Sequence, residues 1–157
     1  MSIVVSTDVI EPMTIVALTG TVPTYADEPQ LWEQIAPLVL DIPVSGPYVC
    51  GVIEHDNQYQ VRDPKLSVFI PVADDTTVAP PLEVHRFAAR ECLVAEILGP
   101  YSQIPAAYEE LESYLETNGL ARSSEDSLAA KGFNLYLKTA DQVDESKLLT
   151  RVCLPLG

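Results

Sequence analysis

Apolar positions in the second half of the chain outline a strand, a tight turn and a helix in direct succession. Residues Cys92 to Leu98 are largely apolar and are followed by Gly99-Pro100, which is typical of a buried strand that ends at a turn. From Ile104 to Leu115 the apolar residues recur at helical spacing, while Glu109, Glu110, Glu112 and Glu116 fall largely outside that stripe. The pattern predicts an amphipathic helix with one face packed on a sheet.

Residues at both ends of this helix support its boundaries. Ser102 is a suitable N-cap, and Pro105 falls in the first turn, where a missing N–H costs nothing. Asn118-Gly119 supplies a residue that can adopt the left-handed conformation at the C-terminus. We therefore expect the helix to run from just after Ser102 to Asn118.

The same succession occurs earlier in the chain, so the sequence predicts an internal duplication. Each half should contain two strands, a helix and two strands. One domain over residues 1–157 would then consist of halves 1–78 and 82–157. The matched blocks are Ile15-Val16-Ala17 with Leu93-Val94-Ala95, Trp32 to Ile35 with Tyr108 to Leu111, Tyr48 to Asp56 with Phe133 to Asp141, and Phe69 to Val72 with Cys153 to Leu156.

Local signals refine the first half. Glu11-Pro12 separates two strands, and a hairpin is the simplest connection between them. Asp27 with Gln30 resembles a capping box at the start of a helix, and Pro37 should break or kink that helix. The predicted fold class is α+β, a curved antiparallel sheet of eight strands with both helices on one face and pseudo-twofold symmetry.

Charge and composition limit the possible functions. The formal net charge of −14 would repel a phosphate backbone, so direct binding of nucleic acid is not expected. The chain has no apolar stretch long enough to span a membrane and no signal-like start, so we expect a cytoplasmic protein. His55 and His85 have no paired ligand at metal-binding spacing, and no metal or cofactor is expected.

Several short segments, taken in order, resemble the GyrI-like small-molecule-binding domains, which also serve as effector-binding domains of AraC-type and multidrug-responsive regulators of transcription. The segments are Glu11 to Val16, Leu98 to Tyr108, Asn118-Gly119-Leu120, Leu135-Tyr136-Leu137 and Leu154-Pro155-Leu156. The resemblance spans the whole chain. It implies a ligand cleft between the two halves, where many relatives carry a glutamate at the position of Asn134.

Strand alternation divides the residues around Asn134 into two sets. Asn134 and Tyr136 should share one face, which the resemblance assigns to the cleft, while Phe133, Leu135 and Leu137 are expected under the helix. Alternatively, Asn134 and Tyr136 face solvent or bond to neighbouring backbone.

Further candidates for ligand contact come from the duplication and from isolated polar or aromatic positions. Gly51 matches Tyr136 in the duplication, so the cleft would be open near Gly51, unless this glycine only marks a bulge. Glu96 interrupts an apolar strand, and supplies the acid that Asn134 lacks or lies at an exposed edge. The complete set of candidates is Trp32, Tyr48, Gly51, Glu96, Tyr108, Asn134 and Tyr136.

Three functions agree with these features. The first is capture of a small planar or cationic molecule. The second is hydrolysis of a reactive small molecule, which the resemblance suggests, with Tyr136 and Glu96 as catalytic candidates. The third is inhibition of a basic protein partner by the acidic surface. The ligand and the oligomeric state do not follow from the sequence.

Overall fold

The computed structural model describes residues 2–46, 49–56 and 60–157. These residues form an α+β fold of eight strands and two α-helices, which confirms the predicted fold class. The strands are β1 (Ser2–Ile10), β2 (Met13–Thr21), β3 (Cys50–Glu54), β4 (Lys65–Val72), β5 (Glu83–Phe87), β6 (Arg90–Leu98), β7 (Phe133–Lys138) and β8 (Leu149–Pro155), and the helices are α1 (Pro29–Ile35) and α2 (Ile104–Asn118).

All eight strands belong to one antiparallel sheet with the order β1-β6-β8-β7-β3-β4-β2-β5. If β1 to β4 are exchanged with β5 to β8, the order is the same when read from the opposite edge. This symmetry agrees with the duplication. The first strand of each half pairs outside its own half, because β1 pairs with β6 and β5 pairs with β2.

The predicted hairpin between β1 and β2 is wrong, because these strands stand six positions apart in the sheet. In a flat sheet six spacings would amount to about 29 Å. The two residues Glu11-Pro12 that join them can bridge at most about 11 Å between Ile10 and Met13. The sheet must therefore curl until its distant strands approach each other, and the short connection depends on that curl.

Both helices pack on one face of the sheet. Directly opposed residues of antiparallel strands project to the same side, and one row of opposed residues crosses the sheet through Val68, Val52, Asn134, Val152 and Ala95. Val68 and Val52 share an apolar cluster with α1, and Val152 and Ala95 share one with α2. The row thus places Asn134 on the helical face, between the two helices.

Phe133, Leu135 and Leu137 do not lie under a helix, contrary to the sequence-based expectation. They pack with Phe69 and Phe87 in an apolar cluster on the opposite face of the sheet. Alternation correctly separated the two sets of residues, but it does not say which side a helix will cover.

Helix ends follow local chemistry. Gly119 ends α2 in the left-handed conformation at φ 62°, as predicted. Ser102 does not cap α2, because it lies inside a 3-10 turn over Tyr101–Gln103 that precedes the helix. Asp27 takes part in a capping box with Thr24 rather than with Gln30, and α1 gives way to a 3-10 turn over Ala36–Leu38, which contains Pro37.

No helix in the described part of the chain is both long and apolar enough to cross a membrane.

The expected opening at Gly51 is wrong, because Gly51 faces away from the helices. It opposes Leu135 and Phe69 in the sheet, and a Cβ atom built on it would lie 2.3 Å from Cζ of Phe69 and 2.5 Å from the carbonyl oxygen of Asn134. The duplication had matched Gly51 to Tyr136, which requires both side chains to project to the same side of the sheet. Cys50 is the residue that opposes Tyr136 and shares its side, so Gly51 belongs to the other side. An odd shift in register moves every side chain to the other face.

Replacing Gly51 by alanine should destabilise the protein by about 1–3 kcal/mol, because the added methyl group overpacks the cluster around Phe69. Chemical denaturation monitored by circular dichroism measures the change. Gly157→Ala is the matched control, since its Cβ would come no closer than 3.3 Å to another residue. If both variants unfold at the same denaturant concentration, the close packing at Gly51 is incorrect.

Candidate functional site

The floor of the candidate site is the pairing of β3 with β7 at the centre of the sheet. Cys50 opposes Tyr136 and Val52 opposes Asn134, and these side chains project toward the helices. Glu54, two residues after Val52, projects to the same side at the end of β3. Polar and aromatic groups thus interrupt an otherwise apolar face between α1 and α2.

Glu28 and Trp32 form the side of the site that adjoins α1. Glu28 immediately precedes the helix and Trp32 lies one turn further on, so both side chains lie on one face. Nε1 of Trp32 donates a hydrogen bond of 2.9 Å to Oε2 of Glu28. Burial raises the pKa of Glu28, and hydrogen bonds from Trp32 and Tyr136 only partly oppose that effect.

Glu54 and Tyr108 form the opposite side. The hydroxyl of Tyr108 on α2 donates a hydrogen bond of 2.8 Å to Oε2 of Glu54. Burial is the main cause that raises the pKa of Glu54, and the negative charge of Glu28 raises it further, while the hydrogen bond from Tyr108 and the charge of Arg122 lower it. The two carboxyl groups are therefore close enough to repel each other when both are ionised.

Tyr136 occupies the space between these two pairs. Only 8% of its surface is exposed, and the ring of Tyr101 stands edge-on to it with 5.7 Å between the ring centroids. Burial and the charge of Glu28 raise the pKa of Tyr136 well above its ordinary value, so its hydroxyl stays protonated and acts as a hydrogen-bond donor. Beside it, Asn134 is buried, and its Oδ1 has no hydrogen-bond partner among the described residues.

We call this arrangement the central cleft. Two partly desolvated carboxyl groups lie near each other and beside aromatic rings, and each accepts a hydrogen bond from an aromatic side chain. Aromatic faces and carboxylates both attract positive charge, so the arrangement is suited to an organic cation. The central cleft consists of Glu28, Trp32, Glu54, Tyr101, Tyr108, Asn134 and Tyr136.

Four of the sequence-predicted site residues meet in the central cleft: Trp32, Tyr108, Asn134 and Tyr136. Tyr48 lies outside the described residues. Gly51 faces the other side of the sheet, as shown above.

Glu96 is also placed away from the cleft. It opposes Arg151 on the face remote from the helices, and Nε of Arg151 donates a hydrogen bond of 3.1 Å to its carboxylate. The acid that the sequence analysis sought in Glu96 is instead supplied by Glu28 and Glu54.

The sequence analysis missed both of these acids. Glu28 precedes Trp32 by four residues, a spacing that places the two side chains on one helical face and that was visible in the sequence. Glu54 follows Val52 by two residues, so alternation alone places both on one side of the strand. The missing information was which face of β3 the helices cover.

Comparison with known proteins agrees with this fold. A family model described as the GyrI-like small-molecule-binding domain matches residues 6–156. A search of curated protein sequences gives no match.

Solved structures share the architecture at low sequence identity. The C-terminal domain of EcmrR is 17% identical, with a TM-score of 0.87 over 100% of this chain and 99% of that one. In a complex of EcmrR with DNA the TM-score is 0.85, and the match covers 98% of this chain but only 57% of that one. SAV2435 bound to tetraphenylphosphonium is 17% identical, with a TM-score of 0.64 over 98% of this chain and 93% of that one. At this level of identity, the similarity to solved structures shows the fold alone.

The raised pKa of Glu28 predicts how stability depends on pH. A carboxyl group with a higher pKa in the folded state contributes stability below its unfolded pKa, and this contribution is lost as the pH rises through the folded pKa. Glu28→Gln should therefore gain stability relative to wild type as the pH is raised from acidic to neutral. Urea unfolding at a series of pH values measures this difference.

Glu33→Gln is the control for Glu28→Gln, because it removes the same charge from an exposed position on α1. If the two variants differ from wild type by the same amount at every pH, Glu28 is not desolvated as described.

Proposed function

Because the chain belongs to the family of GyrI-like small-molecule-binding domains, we propose that it binds a lipophilic organic cation in the central cleft. The observation that carries this proposal is the environment of Glu28. This carboxyl group is partly buried between Trp32 and Tyr136, and the interactions that set its pKa include no positive charge. A bound cation would supply that charge.

The energetics favour a ligand that is both charged and aromatic. Hydrogen bonds and contacts to a charged group inside a protein are worth about 1.5–3 kcal/mol. A cation over a tyrosine or tryptophan ring adds about 0.5–2 kcal/mol, depending on how well it is desolvated. Glu28 and Trp32 together offer both interactions, and Tyr101 and Tyr136 add apolar ring surface that suits the hydrophobic part of such a ligand.

Entry to the cleft requires a movement of Tyr101 in this proposal. Its ring covers Tyr136 edge-on and is itself 40% exposed, at the start of a three-residue 3-10 turn. An exposed ring on a short turn can change rotamer at little cost, whereas the buried Tyr136 cannot. Tyr101 would therefore act as the movable cover of the site, and Tyr136 as its fixed wall.

Binding is favoured over hydrolysis by the positions of the catalytic candidates that the sequence suggested. Glu96 lies on the other face of the sheet, and Tyr136 is unsuited to act as a base or nucleophile, because burial and the charge of Glu28 raise its pKa. Asn134 cannot act as a general base, because an amide has no proton-accepting group of suitable pKa. We therefore propose that the chain captures its ligand unchanged, as an effector-binding domain does.

Titration with tetraphenylphosphonium should quench or shift the fluorescence of Trp32, the only tryptophan of the chain. Glu28→Gln should weaken binding by about 1–3 kcal/mol, which corresponds to roughly 5-fold to 150-fold in Kd. Glu33→Gln should bind like wild type. Triphenylphosphine oxide, an uncharged compound of similar shape, should bind weakly to every variant.

Calorimetry must accompany the fluorescence measurement, so that binding is established independently of Trp32. Equal affinity of the cation for wild type and Glu28→Gln would refute the proposed role of the carboxyl group. Calorimetric binding without any change in emission would place the ligand away from Trp32 and hence outside the central cleft.

A further inference from the structure

A second cavity lies on the face of the sheet remote from the helices. Its volume is about 390 Å³. Strands β2, β4 and β5 form one wall, and the connection that precedes β7 forms the other. The cavity, which we call the rear cavity, is lined by Thr19, His55, Lys65, Glu83, His85, Asp126, Ser127, Leu128 and Lys131.

The rear cavity collects an unusual share of the positive groups of an acidic chain. It contains both histidines and two of the four lysines of a protein whose formal net charge is −14. The two positive charges of Lys65 and Lys131 equal in number the two negative charges of Glu83 and Asp126 in the lining. Each histidine that becomes protonated therefore adds one net positive charge. The described residues include no group of three or more potential metal ligands that could hold a metal ion.

A chain of hydrogen bonds fixes the tautomer of His55. Oγ1 of Thr19 donates to the carboxylate of Glu83 at 3.1 Å, and this uses its only proton. Thr19 must then accept the proton of Ser67, whose Oγ lies 2.5 Å away. Ser67 in turn accepts from Nε2 of His55 at 2.6 Å. His55 therefore carries its proton on Nε2, and Nδ1 is the nitrogen that remains to be protonated.

This direction of donation has two consequences. Ser67 is not activated as a nucleophile, because its proton points to Thr19 and not to His55. Protonation of His55 at Nδ1 places an imidazolium near Lys65 and Lys131. Burial and the charges of these two lysines lower the pKa of His55 in the empty cavity, and the carboxylates of Asp56 and Glu83 partly oppose that effect. An anion would remove this repulsion, and its presence would favour the protonated ring.

We infer that the rear cavity is a second binding site, selective for a small oxyanion such as a phosphate or carboxylate group, with Lys65, Lys131 and protonated His55 supplying positive charge. Binding of the anion is coupled to uptake of a proton by His55. The carboxylate of Glu83 accepts a hydrogen bond from Thr19 and lies 3.6 Å from Nε2 of His85. It keeps its negative charge, so the positive charges of Lys65, Lys131 and protonated His55 must outweigh its repulsion of the anion. The site is separate from the central cleft, which lies on the other face of the sheet.

The test is an NMR titration of the two histidine rings, with chloride at equal ionic strength as the reference. Sulfate serves as the tetrahedral oxyanion, because its charge does not change near neutral pH, and acetate serves as the carboxylate. We expect sulfate or acetate to raise the titration midpoint of His55 by about 0.5–1 unit, which reports up to about tenfold tighter binding to the protonated form. The spectrum of the His55→Asn variant lacks the His55 signal, so it tells which of the two histidine resonances belongs to His55 and which to His85.

Two variants and one matched control separate a site from general charge effects. Lys131→Gln should weaken anion binding by about tenfold, as expected for the loss of one charge-assisted contact. His55→Gln keeps a donor for Ser67 but cannot be protonated, so it should abolish the pH dependence of binding. Lys147→Gln removes an equal charge outside the rear cavity and should bind like wild type.

The inference fails if neither anion shifts the midpoint of His55 relative to chloride. It also fails if Lys131→Gln and Lys147→Gln reduce the shift equally, because the effect would then be unspecific screening. Preference for sulfate over acetate, or the reverse, assigns the site to phosphate-like or carboxylate ligands.

Discussion

The pairing of β3 with β7 is the contact on which the rest of the structure depends. It is the only place where the central strands of the two halves meet within the described sheet. Its register sets Cys50 opposite Tyr136 and Val52 opposite Asn134. This places Glu54 of one half beside the aromatic wall of the other. A shift of one residue in either strand would place Tyr136 and Glu54 on opposite faces of the sheet and would abolish the central cleft.

The central cleft is costly for stability in its empty state. Glu28 and Glu54 are both desolvated, and their charges repel each other. Trp32 and Tyr108 each donate a hydrogen bond to one of these carboxyl groups, but a neutral donor only partly replaces lost hydration. A site that binds a cation must contain negative charge that stays unbalanced until the cation binds. Loss of stability at functional sites is a general feature of proteins, and here the two acids account for it.

Much of the fold could be predicted from local pattern, because strands, helix ends and the break near Pro37 depend on residues close in sequence. The strand partners could not, since β1 pairs with β6 of the other half and not with β2, which follows it directly in the sequence. Trp32 and Tyr108 were predictable as matched helix positions. Glu28 and Glu54 were not recognised, because their raised pKa values arise from tertiary burial. Gly51 was assigned to the wrong face, because the duplication does not fix the register of the strands.

The most direct test of the account is the number of protons released when a cation binds. Calorimetric titration of wild-type protein with tetraphenylphosphonium, repeated in buffers of different ionisation enthalpy, measures this number. A cation that enters beside Glu28 must lower the pKa of that carboxyl group, so protons should be released in the pH range between its free and bound values. Binding without proton release at any pH in that range would contradict the claim that the desolvated acids form the binding site.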